Sequence, residues 1–253
     1  MAGHCTLAIT NVPDSTMAWE ATVSFPTVAG RERAIPATKS FTAQLLNLQL
    51  LALLAAEAQS EFDDDKLEAR LADVAHLTGR VRAQLPDWEN LVRSIAEKHR
   101  LAKSFLFLGR GVHYPIVREG ALKLKESSYL HAEGYPSGEL KHGANALVRD
   151  ATPLVMIATV DSSDPGSVER YDKVLHLMRN MRKLGATIIA IANAGDHIVA
   201  SLADDVVFVE EVSEALLPIV KVIPLQLLAY FAAINNGIDV DNPRNLAKAV
   251  LAE

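Results

Sequence analysis

The chain has 253 residues, 49% of them hydrophobic, with a formal net charge of −6 at pH 7 and a single cysteine, Cys5. This composition supports one large or two modest globular cores, and its scattered Lys and Arg provide no basic surface for nucleic acid or an anionic membrane. One cysteine excludes an internal disulfide and a cysteine-rich metal site. Without a signal-like segment, we expect a cytoplasmic protein.

Short strand-like runs open the chain at residues 6–11 and 23–26, separated by an acidic loop and followed by a long apolar helix. The same order returns from residue 188, with strands at 188–193 and 206–209. We infer an internal repeat of two related units. The apolar run 43–58 is interrupted by polar residues and is too short for a bilayer span, so we expect a core helix.

The segment between the two units is predicted to be helical and charged. Apolar residues recur at helical spacing from Leu67 to Val81, Pro86 is expected to break the helix, and a second helix is expected at 88–99. Three consecutive acids at 63–65 are more typical of a solvated cap at a helix start than of a cation site. The eight histidines form no HxxxH or HxH pair, so no metal is expected.

A doubly wound parallel sheet is predicted for the second half of the chain. An apolar run at 104–108 ends in Gly109-Arg110-Gly111, which is typical of a buried strand that turns into a helix whose N-terminus faces a ligand. A helix is expected at 115–130, a strand at 153–159 and a helix at 168–183. This alternation indicates an α/β fold.

On the first of these helices, Glu119, Lys123 and Glu126 fall within a stripe about 60° wide, at about 100° per residue. Two carboxylates thus flank one ammonium, either as an exposed ion-paired face or as part of a catalytic site. Residues 131–143 follow at once. Their glycines and proline indicate a loop, which carries Glu133, Glu139, Lys141 and His142.

Several stretches closely resemble the isomerase half of the glucosamine-6-phosphate synthases, a family built from sugar isomerase (SIS) domains. They are EGALKLKE at 119–126, HAEGY at 131–135, GELKHG at 138–143 and VDNPRNLAKAV at 240–250, with further likeness at 30–32, 37–45 and 222–230. The resemblance implies SIS-type, flavodoxin-like units, one complete and one partial. The domain boundaries that it implies are the end of a first SIS domain at 1–60, a helical linker at 61–100, a second SIS domain at 101–237, and a tail with an active-site lysine at 238–253.

The resemblance also implies catalytic residues. Glu126 matches the base that moves a proton between C1 and C2 of an open-chain sugar, and Lys123 would offset the developing enolate charge. His142 matches the group that opens and closes the sugar ring, donated by a neighbouring subunit, so a homodimer is implied. Lys248 matches the lysine that forms an imine with the ketose.

Substrate-binding residues follow from the same resemblance. Glu119 is expected to hold Lys123 through an ion pair and only secondarily to take part in chemistry. Thr38 and Lys39 resemble the segment that lines the sugar site, Ile35 matches a backbone contact to the ring, and Ala247 lies beside the imine-forming lysine. The implied partner is a small phosphosugar, which requires only a local positive site, and no cofactor is expected.

The sequence also departs from the family pattern. Ala37 and Ala144 stand where relatives commonly have Ser and Pro, and the latter change loosens the loop that aims His142. Counting back from the second copy, roughly eighty residues of the first unit are expected to be missing, including a Ser-x-Ser-Gly-x-Thr loop for the sugar phosphate. The Ser/Gly-rich segment 162–166 is interpreted as a plain turn. A glutamine-hydrolysing domain is likewise expected to be missing.

Three functions remain open. The first is isomerisation of the synthase type, from fructose 6-phosphate to glucosamine or glucose 6-phosphate through an open-chain imine and an enediol or enolamine. The second is a stand-alone amino-sugar-phosphate deaminase and isomerase. The third is a non-catalytic protein that binds sugar phosphates.

Overall fold

The computed structural model describes residues 3–149 and 152–248. They form two compact units, residues 3–76 with 247–248 and residues 77–246. The boundary between the units falls within one long helix, α3 (Asp64–Lys98).

The first unit contains β1 (Leu7–Thr10), α1 (Thr16–Glu20), β2 (Val23–Pro26) and α2 (Lys39–Ala58). β1 and β2 pair in parallel, with Leu7 opposite Val23 and Thr10 opposite Pro26. The helix α1 lies in the stretch that was predicted as a loop, and the Ser15 hydroxyl caps it by accepting from the Ala18 amide at 3.3 Å. Five residues carry too little periodicity to indicate a helix.

The expectation that α2 is a core helix was wrong for most of its length. Only Ser40, Asn47 and Leu53 are buried among its twenty residues. A helix is buried only where another element covers it, and the first unit offers a sheet of just two strands in its described part.

The helix α3 runs unbroken through Pro86, so the predicted break was wrong. Beyond the proline, Trp88 and Ile95 are both 2% exposed, and the Trp88 indole N–H donates to the Phe208 carbonyl at 2.8 Å. Packing therefore outweighs the hydrogen bond that proline removes. The interpretation of the acidic run as a cap is confirmed, because Asp63 Oδ1 accepts from the Lys66 amide at 2.8 Å.

The second unit is a doubly wound α/β domain, as predicted. All five strands are parallel, in the order β4-β3-β5-β6-β7, so the strand order reverses between β3 and β5. Its elements are β3 (Ser104–Gly109), α4 (Tyr114–Ser128), β4 (His131–Pro136), β5 (Leu154–Ala158), α5 (Pro165–Lys183), β6 (Ile188–Asn193), α6 (His197–Leu202), β7 (Asp205–Val209) and α7 (Leu217–Asn235).

Helices cover both faces of this sheet. Side chains alternate along each strand, and Leu106 and Met156 join a buried cluster with Met178 of α5. On the opposite face, α4 and α7 approach closely at Gly120, where an added Cβ would lie 2.7 Å from Leu225 Cδ1 and 3.1 Å from Phe107 Cε1. Burial on both faces accounts for the continuous apolar strands.

One copy of the inferred internal repeat lies in each unit. The order β1-α1-β2-α2 returns as β6-α6-β7-α7, and Asp196 caps α6 through the Val199 amide at 2.9 Å, as Ser15 caps α1. By length and composition alone, α2 and α7 could each cross a membrane. Twelve of the nineteen residues of α7 are buried, which is typical of a core helix.

Candidate functional site

The turn between β3 and α4 is shaped by two glycines. Gly109 ends the strand, and a Cβ there would lie 2.6 Å from the His113 carbonyl oxygen, so no larger residue fits. Gly111 adopts a φ of 56°, and a single 3-10 turn leads into α4 with Pro115 in its first turn. The strand, glycine turn and helix predicted from the sequence are therefore confirmed.

Three charged residues of α4 form a compact cluster. Lys123 Nζ lies 2.8 Å from Glu126 Oε2 and 3.3 Å from Glu119 Oε1. The side chain of Lys123 is 6% exposed, that of Glu119 13% and that of Glu126 22%, so this is not an exposed ion-paired face. Burial raises the pKa of Glu119 against the opposing effect of the Lys123 ammonium. Glu126 is the carboxylate that a ligand can reach most readily.

The sequence predicted a loop for residues 131–143, but only part of this stretch is a loop. Residues 131–136 form the edge strand β4, paired with β3 from Ser104 opposite His131 to Gly109 opposite Pro136. Gly134 is required there because a Cβ would lie 2.9 Å from the Arg118 Cα. The glycines thus permit α4 to pack on the strand rather than interrupting it.

His142 lies in the loop beyond β4, at the end of a 3-10 turn formed by Leu140–His142. Leu140 is fully buried and anchors the loop, while His142 itself is exposed. Within the described part of the chain, its imidazole has no hydrogen bond or ion pair, including any to the three charged residues of α4. The imidazole is therefore available to a ligand or a second subunit.

Lys248 is held firmly within the first unit. Its Nζ lies 2.7 Å from Glu32 Oε2 and donates to the carbonyls of Ala34 at 3.0 Å and Ile35 at 3.2 Å. Burial acts to raise the pKa of Glu32, but bonds from Lys248 and Ser40 and the charge of Lys39 together lower it.

The remaining predicted residues of the first unit lie nearby. Ile35 contributes its carbonyl, Lys39 Nζ donates to the Arg31 carbonyl at 2.7 Å, and Thr38 and Ala247 are exposed. A cavity of about 670 Å³ reaches Lys248 and Glu32. Glu32 was not among the predicted site residues, although its position between Arg31 and Arg33 was a signal that could have identified it.

The predicted site residues thus fall into two groups. Glu119, Lys123, Glu126 and His142 belong to the second unit, and the others belong to the first unit. The convergence of Glu126, His142 and Lys248 around one ligand stays a prediction. The residues assigned to the first unit are Ile35, Thr38, Lys39, Ala247 and Lys248.

Comparison with known proteins gives a consistent result. The SIS domain model matches residues 100–236. The glutamine–fructose-6-phosphate aminotransferase (isomerizing) of Chlorobaculum tepidum is 39% identical over 251 residues, which are 99% of this chain and 39% of that protein. Its counterpart in Methanosarcina mazei is 41% identical over 254 residues, 100% of this chain and 40% of that protein. The chain spans about 40% of the length of these relatives.

Solved structures show the same likeness. The C-terminal domain of glucosamine-fructose-6-phosphate aminotransferase from Francisella tularensis superposes with a TM-score of 0.84 at 35% identity, covering 94% of this chain and 64% of that one. Glucosamine-6-phosphate deaminase from Thermotoga maritima gives 0.69 at 27% identity, covering 98% of this chain and 67% of that one. The α/β fold expected from the resemblance is confirmed.

Proposed function

Because the chain belongs to the SIS-domain family, we propose that it is a phosphosugar isomerase domain of the glucosamine-6-phosphate synthase type. The proposed reaction converts fructose 6-phosphate to glucosamine or glucose 6-phosphate. Two findings support it: the relatives named as isomerizing aminotransferases match nearly the whole chain, and motif residues of α4 form a buried charged cluster.

The observation that carries the proposal is the burial of Lys123 between Glu119 and Glu126. In an open-chain ketose, Glu126 takes a proton from C1, which leaves an enediolate, and returns a proton to C2, which leaves the aldehyde at C1. The Lys123 ammonium, 2.8 Å from Glu126, offsets the negative charge on the sugar oxygen. If ammonia first condenses with the C2 carbonyl to give an imine, with loss of water, the same proton shift from C1 to C2 gives the 2-amino sugar.

Lys248 is proposed to hold the ketose open as an imine. Its amine adds to the C2 carbonyl and water leaves, which requires the unprotonated amine. In the free protein Lys248 Nζ is engaged by Glu32, with 2.7 Å between Nζ and Oε2. Binding of the sugar therefore has to separate Lys248 from Glu32 before the imine can form.

The proposal assigns the ring-opening step to His142 of a second subunit in a homodimer. Its exposed imidazole, without a partner in the described residues, supports this assignment. Mixing Glu126→Gln and His142→Ala subunits is the sharpest test, because a mixed dimer regains one site with both groups. We expect activity to reappear on mixing; two inactive variants that stay inactive when mixed would refute donation across the dimer.

Glu126→Gln tests the proton shift itself. We expect conversion of fructose 6-phosphate to glucose 6-phosphate to fall by about 10²–10⁴-fold, the usual contribution of a general base, with substrate affinity nearly unchanged. The matched control is Lys125→Gln, one position earlier on α4 with an exposed side chain. Turnover retained in Glu126→Gln would overturn the assignment.

A second function, amino-sugar-phosphate deamination, is favoured by the 27% identity to the Thermotoga maritima deaminase. Ammonia released from glucosamine 6-phosphate, measured with an ammonia-coupled assay, would favour this function over the synthase type. A ligand-induced rise in melting temperature without turnover of either sugar would leave a non-catalytic sugar-phosphate-binding protein.

A further inference from the structure

A cavity of about 380 Å³ lies in the second unit between helix α5 and the loops that follow β3 and β4. Its volume falls within the range of small-ligand sites, roughly 300–1,000 Å³. Arg110 lines it from the loops and Asp172 lines it from α5, and the function proposed above uses neither residue. We propose that this cavity binds a small zwitterion, an α-amino acid, whose carboxylate pairs with Arg110 and whose ammonium pairs with Asp172.

The two walls of this cavity carry opposite charge. The loop wall contributes two cations, Arg110 and Lys141, and no carboxylate. The helix wall contributes two carboxylates and one ammonium, so its net charge is −1 with His176 neutral. Its charged residues are Glu169, Asp172 and Lys173. A ligand with an anionic group at one end and a cationic group at the other matches this distribution better than an anion or a cation alone.

The charges assigned to the ligand are the unpaired ones. Within the described residues, neither the Arg110 guanidinium nor the Asp172 carboxylate forms a hydrogen bond or an ion pair. Lys173 and Glu169, by contrast, bind each other. Arg110 is also half-buried, so part of its hydration is lost without replacement by a protein acceptor. A guanidinium presents two parallel N–H donors at the spacing of two carboxylate oxygens, so a bound carboxylate would supply the acceptors that the chain does not.

Backbone contacts fix the loop wall and bring a hydroxyl to it. The Ser137 amide donates to the carbonyl of Gly109 at 2.8 Å, immediately before Arg110 in the chain. The guanidinium lies against Gly138, since a Cβ added there would be 3.5 Å from Arg110 Nη1. Ser137 is 6% exposed and lines the cavity, and its hydroxyl is buried without a hydrogen-bond partner in the described part of the chain. In the proposed complex this hydroxyl rotates about the Cα–Cβ bond and donates to the carboxylate of the ligand.

Calorimetric titration of the full chain at constant ionic strength tests the site with three probes. L-Alanine carries both charges, propionate lacks the ammonium, and ethylamine lacks the carboxylate. Each lost charge-assisted contact is expected to weaken binding about 10- to 100-fold, so alanine should bind more tightly than either other probe by that factor. Equal affinities for alanine and propionate would overturn the zwitterion, and absence of alanine binding to the wild-type chain would overturn the site.

Two substitutions should remove the two ends of the contact separately. In Arg110→Gln, we expect alanine to bind no more tightly than ethylamine binds the wild-type chain. In Asp172→Asn, we expect alanine to bind no more tightly than propionate binds the wild-type chain. The matched controls, Arg82→Gln and Asp87→Asn, change exposed residues of α3 and should alter the alanine affinity less than about twofold.

Two further variants keep the test decisive. Ser137→Ala leaves both charges in place and should weaken alanine binding about fivefold, and an unchanged affinity would refute the hydroxyl contact. Arg110→Lys keeps the charge and loses the paired donors, so an intermediate loss supports the site even if Arg110→Gln folds poorly. Unchanged alanine affinity in Arg110→Gln or Asp172→Asn, an equal loss in the controls, or tighter binding of inorganic phosphate than of alanine would overturn the proposal. None of these measurements requires turnover, so failure of this site and failure of the proposed function are distinguishable.

Discussion

The two units share one order of elements but bury it to different extents. Twelve of the nineteen residues of α7 are buried, against three of the twenty in its repeat counterpart α2. The second unit covers α7 with α4, which meets it at Gly120 and Leu225. An apolar pattern therefore indicates which surface favours burial, whereas neighbouring elements decide whether that surface is covered.

The two units also differ in where they keep their charges. The second unit buries His113 and Lys221 against each other, with 2.8 Å between His113 Nδ1 and Lys221 Nζ. The buried polar residues described in the first unit are uncharged: Thr10, Thr27, Ser40 and Asn47. Charged groups of the first unit instead line its cavities, where a ligand can reach them.

Truncating one leucine on each long apolar helix should give the largest difference between the two units in the free energy of unfolding. Leu225→Ala removes a side chain that is 2% exposed in α7, and we expect a loss of about 2–5 kcal/mol in the free energy of unfolding. Leu54→Ala in α2, where the side chain is 59% exposed, should cost less than about 0.5 kcal/mol. Urea unfolding followed by circular dichroism measures both, and equal losses would contradict the contrast.

The buried histidine makes the stability of the second unit depend on pH. Burial, with the nearby charges of Lys221 and Arg170, lowers the pKa of His113 to about 3, against about 6.5 in an unfolded chain. Between these values only the unfolded chain binds the proton. The free energy of unfolding should therefore fall by roughly 1.4 kcal/mol for each pH unit below about 6.5.

His113→Gln should remove this part of the pH dependence between pH 6.5 and 4.5. The exposed His176→Gln variant is the control and should retain the wild-type slope. Fluorescence of Trp88, in a Trp19→Phe background, follows unfolding of the second unit because the other tryptophan of the chain lies in the first. Identical slopes in the two histidine variants would show that His113 is protonated without cost.

A smaller effect is expected where α4 meets α7. Gly120→Ala places a methyl group 2.7 Å from Leu225 Cδ1, and we expect it to lower the free energy of unfolding by about 1–3 kcal/mol. Gly79→Ala is the same change within α3, with no atom within 4 Å of the new Cβ, and should stabilise by about 0.5–1 kcal/mol. Thermal denaturation compares the two, and a stabilising Gly120→Ala would mean that the helices have room to separate.

The parallel sheet, the repeat and the cluster of α4 could be predicted because each depends on local pattern. Buried strands are continuously apolar, and Glu119, Lys123 and Glu126 share one helix face whatever surrounds them. Continuity of α3 through Pro86 could not be predicted, since Trp88 binds a residue 120 positions away. The ion pair between Glu32 and Lys248 could not be predicted for the same reason, because the two residues lie far apart in the sequence.

The contact between Lys248 and Ala34 joins residues 214 positions apart. A ribosome makes the strands of the first unit before the second unit and this lysine after it, so the second unit can fold while the first still lacks its cation. The entropic cost of closing a loop rises only slowly with its length. The late synthesis of Lys248 therefore affects the order of folding events more than the equilibrium stability. Nascent chains stalled before Lys248 should consequently leave Glu32 without its ammonium partner.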